Sequence, residues 1–155
     1  KTVKKIGYGA FAECKSIETL VIPETIITIG DYAFSQCSQL SKITIPDSVV
    51  ALGQYSLAGC SSLTSVEIPN GISAIPYATF FDCTNLTDVV ISEGIKTIGG
   101  MVFGNCRALA DINFPTTLTS IGKCVFKLYR IKKYYCIRRC NISWIRNFPR
   151  MFKLS

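Results

Sequence analysis

Apolar residues recur along this chain at a fixed step of 23. Ile6, Ile29, Leu52, Ile75, Ile98 and Ile121 keep that step, and so do Phe11, Phe34, Leu57, Phe80, Phe103 and Phe126. Ile17, Leu40, Leu63, Leu86 and Leu109 form a third register, and Cys14, Cys37, Cys60, Cys83 and Cys106 a fourth. Pro23, Pro46, Pro69 and Pro115 form a fifth, in which Ser92 takes the remaining place. Self-similarity at such a period marks an architecture of stacked units, none of which can bury its own apolar face alone.

Within one unit the spacing predicts the local structure. Leu40, Ile43 and Ile45 follow a Leu-x-x-Leu-x-Leu pattern, and the Ile43–Ile45 alternation is that of a strand with one buried face. Pro46 ends the strand because it has no N–H to donate. Val49, Val50 and Leu52 supply a second apolar wall, and the glycine register (Gly7, Gly30, Gly53, Gly99) allows a sharp bend. A short helical turn carrying Ala33-Phe34 then closes the coil, with the phenylalanine inside. The predicted fold is a leucine-rich-repeat solenoid, with one short parallel strand per 23-residue coil, short helical turns and a second apolar wall. It occupies residues 1–126 as five full coils with partial ends.

The unit Ile-Gly-x-x-Ala-Phe-x-x-Cys-x-x-Leu-x-x-Ile-x-Ile-Pro, clearest from Ile29 to Pro46, resembles the BspA-like class of leucine-rich repeats. The resemblance runs from about Val3 to Phe126; Leu57 for Phe, Pro76 for Gly and Ser92 for Pro depart from it as single-coil variations. It implies a secreted or surface-exposed protein of bacteria or some protists, acting as an adhesin or interaction module. It carries no catalytic motif.

Charge changes the picture only at one end. Through Phe126 there are eight Lys/Arg and ten Asp/Glu, a net of −2; from Lys127 onward there are nine Lys/Arg and no acid, a net of +9. The overall charge of +7 therefore gives no reason to expect nucleic acid on the repeat body. The segment 127–155 leaves the register and is rich in Lys, Arg, Tyr and Ile. It reads as a cap, as a basic aromatic membrane- or nucleic-acid-binding segment, or as coding sequence out of frame, the last being favoured by the abrupt change in composition. No apolar run is long enough for a transmembrane helix. The start at Lys1, with no signal pattern after it, reads as a cut point, with any export signal upstream.

The chemistry of catalysis is sparse. The chain has no histidine, which removes Ser-His-Asp and Cys-His catalysis and His-ligated zinc. It has no Gly-rich phosphate loop, and its carboxylates are scattered, so no enzyme, cofactor or metal site is predicted. The five cysteines in register read as small buried apolar groups with free thiols, one per coil. The sharper alternative is a disulfide or metal ladder. Side chains stacked in parallel point the same way, which suits a disulfide poorly, and Cys124, Cys136 and Cys140 lack zinc-knuckle spacing. A serine at these positions is expected to cost more than an alanine, because its hydroxyl would lack a partner.

The outward strand positions form two columns. One is Thr19, Lys42, Ser65, Asp88 and Asp111; the other is Val21, Thr44, Glu67, Val90 and Asn113. These ten residues are the candidate ligand-binding face. They read either as a plain solvated surface or as a weak, multivalent one, since Trp, Tyr and Arg, the usual hot-spot types, are missing from them. The partner expected is a protein or a glycan of unknown identity. The alternative function is a structural spacer that holds another domain off a cell surface. Asn85-Leu86-Thr87 and Asn141-Ile142-Ser143 match a glycosylation sequon, relevant to a secreted eukaryotic protein.

Overall fold

A computed structural model describes residues 2–125. The segment 127–155, with its alternative readings and the Asn141 sequon, lies outside the described residues. The coils stack so that three walls, each repeated every 23 residues, run along the solenoid.

The first wall is a parallel sheet of β2 (Thr19–Val21), β4 (Lys42–Thr44), β5 (Ser65–Ile68) and β7 (Asp88–Ile91), hydrogen-bonded in that order. Its register steps by one coil: Thr19 pairs with Lys42, and Ser65 with Asp88. The second wall holds shorter parallel strands, β1 (Lys5–Ile6) with β3 (Thr28–Ile29), and β6 (Ala74–Ile75) with β8 (Thr97–Ile98) and β9 (Ser120–Ile121). Strand residues alternate between outside and inside, so Ile43, Val66 and Ile68 are buried while their neighbours face solvent. In the second wall Val49 and Leu52 are buried as predicted, but Val50 points outward.

The third wall is where the structure departs from expectation. No helix occurs among the described residues. The segment carrying Ala33-Phe34 is a run of turns with two left-handed residues four apart, Tyr32 (φ 56°) and Gln36 (φ 61°). Tyr55 and Gly59, Ala78 and Asp82, and Met101 and Asn105 repeat them. A left-handed residue ends an α-helix, and a non-glycine one is strained. The compensation lies between coils. Alternate N–H groups point along the solenoid axis, so Tyr32, Phe34 and Gln36 donate to the carbonyls of Gln54, Ser56 and Ala58 at 2.9, 2.8 and 2.7 Å. The N–H groups between them close local turns, as from Ser35 to Tyr32 at 3.0 Å.

The core runs continuously through the stack. Phe34, Phe80 and Phe103 are buried, and Leu57 fills the same register in the coil that lacks the ring. Phe11 stacks on Phe34 with ring centres 5.4 Å apart, yet it is 40% exposed where Phe34 is 1%. The difference is position: no described coil covers the first one, and Val3, Ile6, Phe11, Leu20, Ile22 and Ile26 border an open apolar cavity there.

Candidate binding face

The ten sequence-predicted residues all lie on the outer side of the first wall and are all exposed. Eight of them sit on β2, β4, β5 and β7, which bring the two columns together as adjacent rows. Asp111 and Asn113 keep the outward orientation around buried Ile112, but their segment pairs with no strand among the described residues. The columns thus hold as a surface while the sheet ends one coil early.

The sheet is also uneven. Val21 pairs with Thr44, and Glu67 pairs with Val90, but between β4 and β5 the ladder consists of Lys42–Ser65 alone. Thr44 and Glu67, which the register places opposite one another, are not joined. The loss of pairing continues around the coil: no backbone hydrogen bond links residues 44–53 to residues 67–76, although Gly71 packs closely against the Asp47 and Val49 carbonyls. The two flanking junctions are bonded. Ile22 donates to Thr44, Val50 to Ile27 and Ile29 to Ala51 on one side; Ser92 donates to Ile68, Lys96 to Ser73 and Gly99 to Ile75 on the other.

Pro76 is the departure from the glycine register that falls at this junction. It occupies the register of Gly7, Gly30, Gly53, Gly99 and Gly122. None of them has positive φ, and all but Gly7, in the uncovered first coil, are needed for close approach to the preceding backbone. A β-carbon on Gly53 would lie 2.2 Å from the backbone nitrogen of Asp31, and one on Gly99 would lie 2.7 Å from the carbonyl carbon of Pro76. Proline brings a whole ring to that crowded position. It also lacks the N–H with which Gly30, Gly99 and Gly122 reach the preceding coil at 2.9, 2.7 and 2.7 Å. The solenoid accommodates Pro76 as a single-coil variation, without the inter-coil bond that Gly30, Gly99 and Gly122 make.

On the strand face the parting forms a cleft of about 260 Å³ between β4 and β5. Exposed Lys42, Thr44, Ser65, Glu67 and Val90 rim it, and the strand backbone at Ile43, Ile45 and Val66, whose side chains are buried in the core, lies beneath. Lys42 and Glu67 are not ion-paired with each other; the ion pair formed among the described residues joins Lys15 to Glu13. Among the described residues no group of His, Cys, Asp or Glu is arranged to hold a metal ion.

A family model for the BspA type leucine rich repeat region matches residues 4–132 in six copies. The chain belongs to the BspA-type leucine-rich-repeat family. Solved structures of similar shape include a leucine rich repeat protein of T. pallidum, at 27% identity with a TM-score of 0.69, covering 76% of this chain and 56% of that one. A leucine rich cell surface protein of Faecalibacterium prausnitzii matches at 25% identity with a TM-score of 0.57, covering 86% of this chain and 44% of that one. The pneumococcal vaccine antigen PcpA shares the fold at 19% identity with a TM-score of 0.70, covering 83% of this chain and 34% of that one. No curated protein matches the sequence. The BspA-type chain described here thus spans between about a third and just over half of the length of these structures.

Two features of this BspA-type stack were not foreseen from its sequence. The first concerns the cysteines. Cys37, Cys60, Cys83 and Cys106 are free and buried, whereas Cys14, in the uncovered first coil, is half-exposed. Each buried thiol faces a backbone carbonyl 26 residues earlier: Cys37 to Phe11 at 3.1 Å, Cys60 to Phe34 at 3.3 Å, Cys83 to Leu57 at 3.3 Å and Cys106 to Phe80 at 3.1 Å. The cysteine is both apolar filler and a weak S–H donor to an otherwise half-satisfied carbonyl. A serine hydroxyl would find the same acceptor, contrary to the expectation that it lacks a partner. Burial keeps these thiols protonated, pushing Cys60 and Cys106 up to about 12.

The second feature is a stack of tyrosines along the third wall. Tyr8, Tyr32, Tyr55 and Tyr77 have successive ring centres 5.5, 5.0 and 5.5 Å apart, with Tyr32 and Tyr55 nearly parallel. The spacing hides this row: Tyr32 and Tyr55 are 23 apart, but Tyr8 and Tyr77 sit one register position earlier. The Tyr77 hydroxyl extends the row by meeting the Met101 sulfur at 2.9 Å.

Proposed function

We infer that this chain is the binding module of a cell-surface or secreted repeat protein, engaging a protein or glycan partner through the two outward columns of the strand wall. The observation that carries this reading is the strand face itself. It sets Thr19, Lys42, Ser65, Asp88 and their neighbours in parallel rows, repeated coil by coil and spent on no internal contact in the core. Such a face varies without loss of fold, which is how solenoids diversify recognition. The surface description of the F. prausnitzii relative supports the location, and the family supports a binding rather than a catalytic role.

The test replaces Lys42, Glu67 and Asp88 together with alanine and measures binding to partners recovered from a screen of host and microbial surface proteins and glycans. Affinity is expected to fall while the melting temperature holds, because exposed positions contribute little stability. Unchanged affinity would remove the strand face, and the absence of any partner would favour a structural spacer.

A further inference from the structure

We propose that the N-terminal face of the solenoid is an inter-coil interface, whose occupant is one more coil of the same 23-residue repeat, carried by the same polypeptide ahead of Val3. The proposal goes beyond the ligand face and does not depend on it. It rests on groups in the first coil that only a preceding coil explains.

Gly7 is the first of these. Glycine serves either a left-handed backbone or a close approach. Gly7 has no positive φ, and a β-carbon on it would meet nothing within 4 Å. Its counterpart Gly30 is held to glycine by the coil before, since a β-carbon there would lie 2.8 Å from the carbonyl carbon of Gly7. Gly7 thus keeps a clearance that no described coil uses. Cys14 is the second. Cys37, Cys60, Cys83 and Cys106 each reach a carbonyl 26 residues earlier, in the coil before. Cys14 keeps the same thiol, half-exposed, with no such carbonyl among the described residues.

The main chain repeats the pattern. The carbonyls of Asp31, Ala33 and Ser35 accept from Gly9, Phe11 and Glu13 of the coil before. Those of Tyr8, Ala10 and Ala12 hold the same places 23 residues earlier and accept no backbone N–H among the described residues. On the second wall the polarity reverses. Gly30 donates to the Ile6 carbonyl, whereas the Gly7 N–H has no backbone acceptor among the described residues. On the first wall β2 ends its sheet with one edge unpaired. Between these walls lies an apolar cavity of about 390 Å³, bordered by Ile6, Phe11, Leu20 and Ile26. Acceptors along one wall, donors along another and an apolar centre are what the junctions between coils already join. A coil of this repeat answers all three in register. With it in place, β2 becomes an inner strand, and Thr19 and Val21 become interior members of the two columns.

The experiment inserts a copy of residues 24–46 directly ahead of Lys1, which preserves the 23-residue step. Thiol labelling with peptide mapping then follows Cys14. In the full chain as it stands Cys14 labels in the native state; in the extended chain its rate is expected to fall to that of Cys37. Gly7→Ala is expected to leave the melting temperature of the present chain unchanged and to lower that of the extended chain as much as Gly30→Ala does. Unchanged native labelling of Cys14 in a folded extended chain, or Gly7→Ala without effect in both chains, overturns the proposal. The reading frame ahead of Lys1 decides the occupant whether or not the extended chain folds. It is expected to place Gly, Phe and Cys 23 residues ahead of Gly7, Phe11 and Cys14, and a frame without them overturns the proposal. So does self-association of the present chain that protects Cys14, seen by sedimentation, which would make a second copy the occupant.

Discussion

The junction between residues 44–53 and 67–76 and the junction between 67–76 and 90–99 are built from the same repeat, yet one is parted and the other closed. At the parted junction the strand ladder keeps one pair and the second wall keeps none. At the closed one the strand ladder holds four pairs, Ser65–Asp88 to Ile68–Ile91, and the second wall is paired by β6 and β8. Two departures from the repeat pattern fall at these junctions. Pro76, in the glycine register, adds bulk and removes a donor. Ser92, in the proline register, restores a donor, and its N–H meets the Ile68 carbonyl at 3.3 Å. In a solenoid each coil touches only its neighbours, so a local change stays local. The third wall remains bonded on both sides, from Tyr32, Phe34 and Gln36 into the next coil and from Tyr55, Leu57 and Gly59 into the one after. It holds the stack in register while the strand face varies.

The largest effect is expected at high pH, where the shared wall is attacked. Cys60 and Cys106 have folded values of about 12 against an ordinary 9.0. Their contribution is full below the ordinary value and is lost as the pH rises from there towards the folded value, because the unfolded thiols ionise first. The melting temperature should fall steadily above pH 9.0. A combined Cys60→Ala and Cys106→Ala variant should show a shallower decline, and an unchanged slope would assign the loss to other groups.

Next comes conversion of the closed junction into a parted one. Gly99→Pro places a ring where even a β-carbon meets backbone at 2.7 Å, and deletes the bond from Gly99 to Ile75. A loss of about 3 kcal/mol is expected from overpacking and the missing donor together. Denaturant melts measure it; a loss no larger than that of Gly99→Ala would show that the ring and the missing donor add nothing.

Ser92→Pro should have a smaller effect, about 1 kcal/mol, by removing one hydrogen bond from the end of the closed strand pair. Faster amide exchange at Ile91 and its neighbours is the sign to look for, and exchange unchanged there would mean that Ser92 does not hold the ladder. Of similar size but opposite sign is Ser56→Ala. The Ser56 hydroxyl is fully buried without a partner, so its removal should raise stability by about 1 kcal/mol.

Smallest of all is the difference between two replacements of one thiol. Cys60→Ser should cost no more than Cys60→Ala, since the hydroxyl meets the Phe34 carbonyl that the thiol now faces at 3.3 Å. A clearly greater loss for serine would mean that the site tolerates only an apolar atom. Thiol labelling of the native chain should reach Cys14 and Cys124 quickly, and Cys37, Cys60, Cys83 and Cys106 only on unfolding.

The sequence by itself determined the period, the strand positions, the buried Phe and Leu registers and the two outward columns. These follow from side-chain alternation and from stacking, which a fixed repeat expresses at every coil. It did not disclose the turn wall. The pattern around Ala33-Phe34 suits a helix as well as a turn, and only the pull of the next coil's carbonyls favours the left-handed residues at Tyr32 and Gln36. Nor did it show that the cysteine thiols have acceptors, because each lies 26 residues away rather than in the same register. The tyrosine row was hidden by a one-position offset that the coil geometry absorbs. Pro76 was visible as a departure from the glycine register, but the close approach that makes glycine necessary at Gly30, Gly53, Gly99 and Gly122 was not. Repetition writes the coil into the sequence, whereas the distance between one coil and the next belongs to the tertiary structure, and that distance decides where the strand face opens.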